Sequence, residues 1–129
     1  MNDCIFCKII KGDIPSKTIY EDKDVKAFLE INPMSDGHIL LIPKQHYTNF
    51  LDTPNETIMK MYEVIKSKIY PLLQEKLKVT GLSICQIGKD VKHYHMHLIP
   101  QYPNDTFDFT CDKSKLNDID EIYSKLTNK

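Results

Sequence analysis

The sequence predicts one α+β domain: an antiparallel five-stranded sheet with one long helix and short helices near the two ends. Two observations support this prediction. Segments with strand character occur as a hairpin and a third strand, then a long helix, then two more strands, so there is no regular βα alternation. The chain has 129 residues, the size of one ordinary domain, and shows no repeat or linker. We therefore expect a single domain over 1–129, with a core of about 4–102 and a C-terminal extension at 103–129.

Five segments have the residue pattern of strands. Thr18–Glu21 and Val25–Leu29 are joined by three polar residues, which predicts a hairpin. A loop at 33–37 precedes the third strand, at 38–43. The last two strands are predicted at 82–86 and 91–100, where apolar and β-branched residues return after the long helix.

Three helices are predicted from apolar spacing and from start signals. Residues 4–11 form a short amphipathic pattern near the start of the chain. Thr53, Pro54 and Glu56 resemble a capping box with proline at the first helical position, so the long helix should begin there and continue to Leu77. Pro71 should kink or divide that helix, because proline lacks the N–H that the helix needs. Apolar residues between 119 and 126 have helical spacing and predict a short C-terminal helix.

Composition and charge argue against several classes of partner. Seventeen basic residues stand against eighteen acidic ones, so no overall field favours a nucleic-acid backbone, and we expect no nucleic-acid partner. All seventeen are lysines, so a bound phosphate would have to be held by lysine, histidine, hydroxyl or main-chain N–H groups. No apolar run is long enough to cross a bilayer and no secretory signal is visible, so we expect a cytoplasmic protein without a membrane partner.

Cys4 and Cys7 form a C-x-x-C pair near the start of the chain. In a reducing compartment, four cysteines do not indicate a disulfide framework. The pair is typical of half a metal site or of a redox pair. A thioredoxin-type redox pair follows a strand, and the sequence shows none before Cys4, so the metal half-site is the favoured interpretation.

Three of the five histidines alternate along residues 93–97. Alternate side chains of a strand share a face, so His93, His95 and His97 are expected on one face, with Tyr94 and Met96 on the other. Packing alone explains such a row poorly, because every buried imidazole needs a hydrogen-bond partner. Two chemistries fit: a catalytic zinc held by imidazoles, or phosphoryl transfer with one neutral imidazole as nucleophile and its neighbours on the phosphate oxygens. Spacing alone leaves both open.

The segment His-Tyr-His-Met-His-Leu-Ile resembles the signature of the histidine triad (HIT) family, which is His-x-His-x-His followed by two apolar residues. The resemblance covers about residues 4–102, and it includes Ile-Phe-Cys-Lys-Ile-Ile near the start and Gly-His-Ile-Leu-Leu-Ile-Pro-Lys from Gly37. It implies a HIT-like fold, a homodimer and a purine nucleotide as substrate. The implied activity is hydrolysis or transfer at the α-phosphate of a nucleoside phosphoramidate or a dinucleoside polyphosphate. A nucleotide-binding regulatory module with little turnover is the rival hypothesis, and a hydrolase that uses the triad as zinc ligands is a third.

The same resemblance implies a role for each histidine of the triad. His95 would be the nucleophile, forming a nucleotidyl-histidine intermediate that water later releases. The main-chain carbonyl of His93 would orient His95 through its Nδ1–H, and His97 would face the phosphate oxygens. His38 matches a buried histidine of the family, for which a structural hydrogen bond is expected.

Nucleotide-binding residues are implied in three segments. Two apolar groups would form the sides of the base pocket, and Glu30 would meet the ribose where the family usually has Asp or Asn. Before the triad, the family's Gly-Gln-(Ser/Thr)-Val is replaced: Lys89 stands at the Gln position and Asp90 at the Ser/Thr position, with Gln86 a candidate for the lost amide. The expected set is Ile5, Phe6, Ile9, Phe28, Leu29, Glu30, Ile31, Gln86, Lys89, Asp90 and His97.

A structural zinc is also implied by the resemblance. Some relatives combine an N-terminal C-x-x-C with a histidine after Pro-Lys and with the first triad histidine. The matching residues are Cys4, Cys7, His46 and His93, a set suited to a closed tetrahedral zinc. Such a zinc would hold the N-terminal segment against the sheet, and the chemistry itself would need no cofactor.

Overall fold

A computed structural model of the chain describes residues 3–88, 91–104 and 110–128. Its centre is one antiparallel sheet in the order β1-β2-β3-β5-β4, which confirms the predicted fold class. The strands are β1 Thr18–Glu21, β2 Val25–Leu29, β3 Ile39–Pro43, β4 Gly81–Cys85 and β5 Met96–Gln101.

The β1–β2 hairpin is closed by a carboxylate. Asp22 Oδ1 accepts hydrogen bonds from the main-chain N–H groups of Asp24 and Val25, at 2.8 and 3.0 Å. Its other oxygen accepts from the Tyr20 hydroxyl at 2.9 Å and lies 3.3 Å from Lys60 Nζ. An aspartate that bonds its own following main chain is a turn signal, so the polar linker explains the hairpin.

The long helix is divided as Pro71 predicts. Helix α2, Asn55–Val64, continues through a π-helical turn at Ile65–Ile69 into α3, Tyr70–Leu77, and Pro71 lies in the first turn of α3. Pro71 has no N–H to donate within the helix, and the wider π-helical turn before it accommodates this loss.

The predicted capping box is wrong. Helix α2 begins at Asn55 with Pro54 as its N-cap, and no side chain among the described residues caps it. The Thr53 hydroxyl instead donates to the Asn49 carbonyl at 2.7 Å, within the loop before the helix. A local side-chain to main-chain bond of this kind competes with capping, which explains the error.

The sheet has two different faces. Alternate residues of β2, β3 and β5 pack beneath α2 and α3 in a large apolar cluster. Its described members are Val25, Ala27, Ile39, Leu41, Met61, Val64, Ile65, Ile69, Leu73, Val79, Tyr94, Met96 and Leu98. The other face carries helix α1, Ile5–Lys11, which ends at Gly12 with φ of 87°. A smaller apolar cluster there has the buried members Phe6, Ile9, Phe28, Leu40 and Ile42.

The last strand begins later than predicted. β5 starts at Met96, so His93 and His95 precede it rather than lying within a strand from 91. The reason is visible in the hydrogen bonds: the His93 carbonyl accepts from a side chain, and the Tyr94 N–H donates to the Tyr47 carbonyl at 2.7 Å. The alternation of faces nevertheless holds, since Tyr94 and Met96 lie in the helix-side cluster.

The C-terminal helix forms where its spacing predicts, as α4, Ile119–Thr127. Its residues are exposed along the whole helix. Among the helices of the described residues, none has the length and apolar character needed to span a membrane.

Candidate active site

The triad lies on the face of the sheet that carries α1. His93 is fully buried, His95 is 8% exposed and His97, the second residue of β5, is half-buried. The Phe6 ring of α1 meets the rings of His93 and His95 edge-on, with centroids 5.9 and 5.1 Å apart. The segment before β5 and the N-terminal helix therefore lie together on one face of the sheet.

His95 is held in one tautomer by its neighbour. Its Nδ1 lies 2.7 Å from the main-chain oxygen of His93, and a carbonyl can only accept a hydrogen bond. Nδ1 therefore carries the proton, and Nε2 keeps an unprotonated lone pair in the neutral ring. A neutral imidazole with a free Nε2 has the form required of a nitrogen nucleophile.

His97 is held in the opposite tautomer by a short chain of hydrogen bonds from Met34 through His38, which we call the relay. The Met34 N–H donates to His38 Nδ1 at 3.1 Å, so His38 in its neutral form carries its proton on Nε2. His38 Nε2 lies 3.0 Å from His97 Nδ1 and donates to it. The proton of His97 is then on Nε2. Two adjacent imidazoles thus offer different groups, a lone pair on His95 and an N–H donor on His97.

Burial keeps this relay neutral. Desolvation lowers the pKa of His38, although the Glu30 carboxylate opposes the shift. Desolvation, together with the neighbouring His95 and His38, also lowers the pKa of His97. Both rings should therefore stay uncharged near neutral pH, which the donor and acceptor pattern of the relay requires.

The second group of polar side chains is the cluster of Cys4, Cys7, His46 and His93, whose ligand atoms all lie within 4.8 Å of one another. We call it the Cys/His cluster. His93 Nδ1 lies 3.1 Å from His46 Nδ1 and 3.4 and 3.6 Å from Cys4 Sγ and Cys7 Sγ, and Cys7 Sγ lies 3.4 Å from His46 Nδ1. A tetrahedral zinc would separate two such nitrogens by about 3.3 Å, and a nitrogen and a sulfur by about 3.6 Å.

The donor set of the Cys/His cluster fits a cation. His93 Nε2 donates to the Pro43 carbonyl at 2.9 Å, so the lone pair of this ring is on Nδ1 and faces both sulfurs. A partner that holds the far nitrogen is the usual support of a metal-ligating histidine. Burial raises the pKa of Cys7, and so does the neighbouring Cys4, because two thiolates so close together repel each other. A cation between them would remove that repulsion. Burial lowers the pKa of His93, which keeps it a neutral ligand.

A third group, Glu30, His38 and His97, also brings ligand atoms within 4.8 Å of one another. Hydrogen bonding argues against a metal there. To ligate through Nε2, His38 would have to move its proton to Nδ1, where the Met34 N–H already donates. Two N–H groups would then face each other, so this group is better described as the relay. The triad rings also have separate partners, which disfavours the third hypothesis, a zinc held by the triad itself.

A cavity of about 220 Å³ opens beside His95. The loop of residues 48–51 forms one wall, and Gln86, Ile87 and Gly88 after β4 form another. A larger cavity of about 450 Å³ lies between the start of α2 and the end of β3, but its residues include no histidine, and its Lys44 and Lys60 are paired with acidic side chains. The smaller cavity is therefore the candidate substrate site.

The structure brings together some of the expected nucleotide-binding residues. Phe6, Ile9 and Phe28 form one buried cluster behind His95, whereas Leu29 points to the other face and packs against the helix-side core. Ile5 and Ile31 are exposed, at 45% and 88%. Glu30 lies beside His38 and His97, and Gln86 lines the cavity. Lys89 and Asp90 lie outside the described residues.

Sequence reasoning missed the loop that lines the cavity opposite Gln86. Its members are Thr48, Asn49, Phe50 and Leu51. The loop is shaped by Asp52, whose carboxylate accepts from the N–H groups of Thr48 and Asn49 at 3.0 and 2.9 Å. The sequence signal that could have revealed it is the turn-forming Asp52 directly after Thr-Asn-Phe-Leu.

The chain is similar to several known proteins. A HIT domain family model matches residues 11–104. The chain is 38% identical to Protein hit of Bacillus subtilis over 98% of this chain and 94% of that protein. It is also 38% identical to adenosine 5'-monophosphoramidase of Saccharomyces cerevisiae, over 76% of this chain and 62% of the yeast protein. The solved structure of a zinc-bound histidine triad family protein from Mycobacterium smegmatis matches with a TM-score of 0.78 and 35% identity, over 86% of this chain and 84% of that one.

Proposed function

Because the chain belongs to the histidine triad (HIT) family, we propose that it is a nucleotide hydrolase or transferase acting at the α-phosphate of a nucleoside phosphoramidate or dinucleoside polyphosphate. The observation that carries the proposal is the hydrogen bond from His95 Nδ1 to the His93 carbonyl, which leaves His95 Nε2 free to attack. The similarity to a yeast phosphoramidase supports the same class of reaction.

The proposed reaction has two displacements. His95 Nε2 uses its lone pair to form a bond to the α-phosphorus, and the bond from phosphorus to the leaving group breaks. The leaving group keeps that electron pair and takes a proton from solvent. Water then attacks the phosphorus, the P–Nε2 bond breaks, its electron pair returns to His95, and the water's extra proton passes to solvent. Dividing one displacement into two is ordinary covalent catalysis.

His97 would stabilise the charge that develops on the phosphate. Its Nε2–H, set by the relay from Met34 through His38, can donate to a non-bridging oxygen. A donor that is already oriented before reaction stabilises the transition state without a cost of reorganisation. In a chain without arginine, this donor matters more than it would beside a guanidinium clamp.

The remaining substrate contacts are proposed from the resemblance to the family. We assign the base pocket to Ile5, Phe6, Ile9, Phe28 and Ile31, with Leu29 supporting it from the opposite face of β2, the ribose to Glu30, and the phosphate and leaving group to Gln86, Lys89 and Asp90, together with His97. A purine is the proposed base.

We further propose that the Cys/His cluster binds one structural zinc. The donor distances and the tautomer of His93 support it, and so does the likeness to a zinc-bound relative. The zinc would neutralise two thiolates and hold α1 on the sheet. Elemental analysis of carefully handled protein should find about one zinc per chain, and chelation should lower the melting temperature.

A homodimer and a cytoplasmic location also belong to this proposal. Sedimentation at micromolar concentration should give the mass of two chains. A monomeric sedimentation mass would remove the dimer from the account without affecting the chemistry of His95.

The test is turnover of an adenosine phosphoramidate and of a diadenosine polyphosphate, with and without a chelator, by wild type and His95→Ala. Turnover by wild type that is lost in the variant supports the proposal. Measurable mononucleotide binding without turnover of either substrate would instead favour the rival hypothesis, a nucleotide-binding regulatory module. Turnover that stops as soon as the chelator is added would show that the reaction needs a weakly held metal, and it would favour the zinc hydrolase.

A further inference from the structure

The Cys/His cluster and the nucleophile share one residue. The His93 ring belongs to the cluster, and the main-chain oxygen of the same residue fixes the tautomer of His95 at 2.7 Å. His93 is fully buried, and both of its ring nitrogens have partners, the Pro43 carbonyl on one side and the cluster on the other. Any change in the cluster therefore acts on the residue that orients His95.

The main chain at His93 has few other supports. β5 begins at Met96, so the His93 carbonyl is not held by the sheet ladder. The described main-chain bond in this segment joins the Tyr94 N–H to the Tyr47 carbonyl, next to His46 of the cluster. The position of the carbonyl thus depends on the side-chain anchors of His93 and on the loop that carries His46.

A second contact links the cluster to the nucleophile. Phe6 lies between Cys4 and Cys7 in the sequence, and its ring meets the His95 ring edge-on at 5.1 Å. Helix α1 has only seven residues and rests on a small apolar cluster. A helix this short is not stable alone, so the position of Phe6 depends on this cluster together with whatever the two cysteines bind.

We propose that Cys4, Cys7 and His46 are positioning residues, which act through His93 and Phe6 so that zinc loading of the Cys/His cluster sets the orientation of the His95 ring. The proposal rests on the proposed function, and it adds that the zinc controls the nucleophile as well as the fold. Loss of the zinc would leave α1 and the His93 carbonyl free to move, and His95 would then lose its single tautomer.

The test is ring NMR of protein with ¹⁵N-labelled histidine, which needs no substrate. In the zinc-loaded wild type, the His95 Nδ1–H should be visible and should exchange slowly with water. Removal of the zinc, or the variant His46→Ala with zinc present, should speed that exchange at least about 10-fold. The rate of the first displacement in a single turnover should fall about 10- to 100-fold, the usual result of a misplaced reacting group.

Leu73→Ala is the matched control. Leu73 is buried in the helix-side cluster, so its loss weakens the fold without touching His93. The control should melt earlier but keep slow exchange at His95. Exchange rates within twofold of each other in zinc-loaded wild type, zinc-free wild type and His46→Ala would overturn the proposal, and so would a protein that takes up no zinc. The protein could also show slow exchange of the His95 Nδ1–H only when it is loaded with zinc, and yet turn over neither substrate. That result would sustain this inference and overturn the proposed function.

Discussion

The two faces of the sheet are packed with different kinds of side chain. Among the described residues, the apolar cluster on the helix side has thirteen buried members, whereas the cluster on the other side has five and lies beside the histidines and cysteines of the site. The helix side resembles an ordinary close-packed core, in which stability comes from apolar area removed from water. On the site side, order comes from directed bonds between imidazoles, carbonyls and sulfurs.

The difference teaches where function can be placed in a small domain. Because side chains alternate along extended backbone, the segment from Tyr94 to Leu98 supplies both faces. Tyr94, Met96 and Leu98 support the fold, and His95 and His97 face the substrate side. The stable face lets the other face tolerate buried polar groups, which would otherwise be costly.

His95→Ala should break the site side with the largest effect. Turnover should fall by at least about 10⁴-fold, since no other lone pair replaces the nucleophile. The melting temperature should change little, because the ring makes edge contacts rather than filling the main core. Steady-state kinetics and calorimetry on the same samples measure both effects. A variant that kept a tenth of wild-type turnover would contradict this assignment.

Leu41→Ala and Leu40→Ala form a matched pair on β3. Leu41 is fully buried on the helix side, and Leu40 is 5% exposed on the site side. The first should lose about 3–4 kcal/mol of unfolding free energy and leave turnover per folded molecule unchanged. The second should lose only about 2 kcal/mol but raise KM, because it lies behind the proposed base pocket. Denaturant melts with kinetics decide this, and equal effects of the two would remove the contrast.

Acid should weaken the site side first. The pKa values of His38 and His97 are lowered by burial from 6.5, so the unfolded chain binds protons there that the folded chain does not. Their contribution to stability is therefore complete above pH 6.5 and is lost as pH falls through the folded values. Urea melts of zinc-loaded protein should show this decline, and His97→Asn should make it shallower. If His97→Asn leaves the slope of unfolding free energy against pH unchanged, the relay is not the source of the decline.

Tyr94→Phe should have the smallest effect of these substitutions, a change of stability on the helix side alone. The Tyr94 hydroxyl is buried in the helix-side core, and it has no hydrogen-bond partner within the described part of the chain. Burial raises its pKa to about 12. Removing an unsatisfied hydroxyl should stabilise the fold by about 1 kcal/mol and leave turnover unchanged. Thermal melts test the gain, and a loss of stability would mean that the hydroxyl has a partner.

Much of this arrangement could be predicted from the sequence. Alternation placed Tyr94 and Met96 opposite the histidines, and the hairpin and the division of the helix at Pro71 followed from local chemistry. These features depend on neighbours in the chain, so periodicity reveals them.

The rest depends on contacts between distant residues. The start of β5 could not be predicted, because the His93 carbonyl bonds a side chain instead of a strand. The relay needs Met34 and His38 to meet His97 across the sheet, and the loop of residues 48–51 reaches the cavity only through the fold. Thr53 was misassigned because a competing carbonyl takes its hydroxyl.

The central claim is that His95 attacks the α-phosphorus, and intact-mass analysis of the reaction stopped in alkaline denaturant, which preserves a phosphorus–nitrogen bond, tests it most directly. With an adenosine phosphoramidate, wild type should gain the mass of one adenylyl group within a single turnover, and peptide mapping should place that group on His95. His95→Ala should gain nothing, and chelator added just before mixing should not prevent the wild-type adduct. Full turnover without any adduct, or an adduct of equal amount in the variant, would contradict the account.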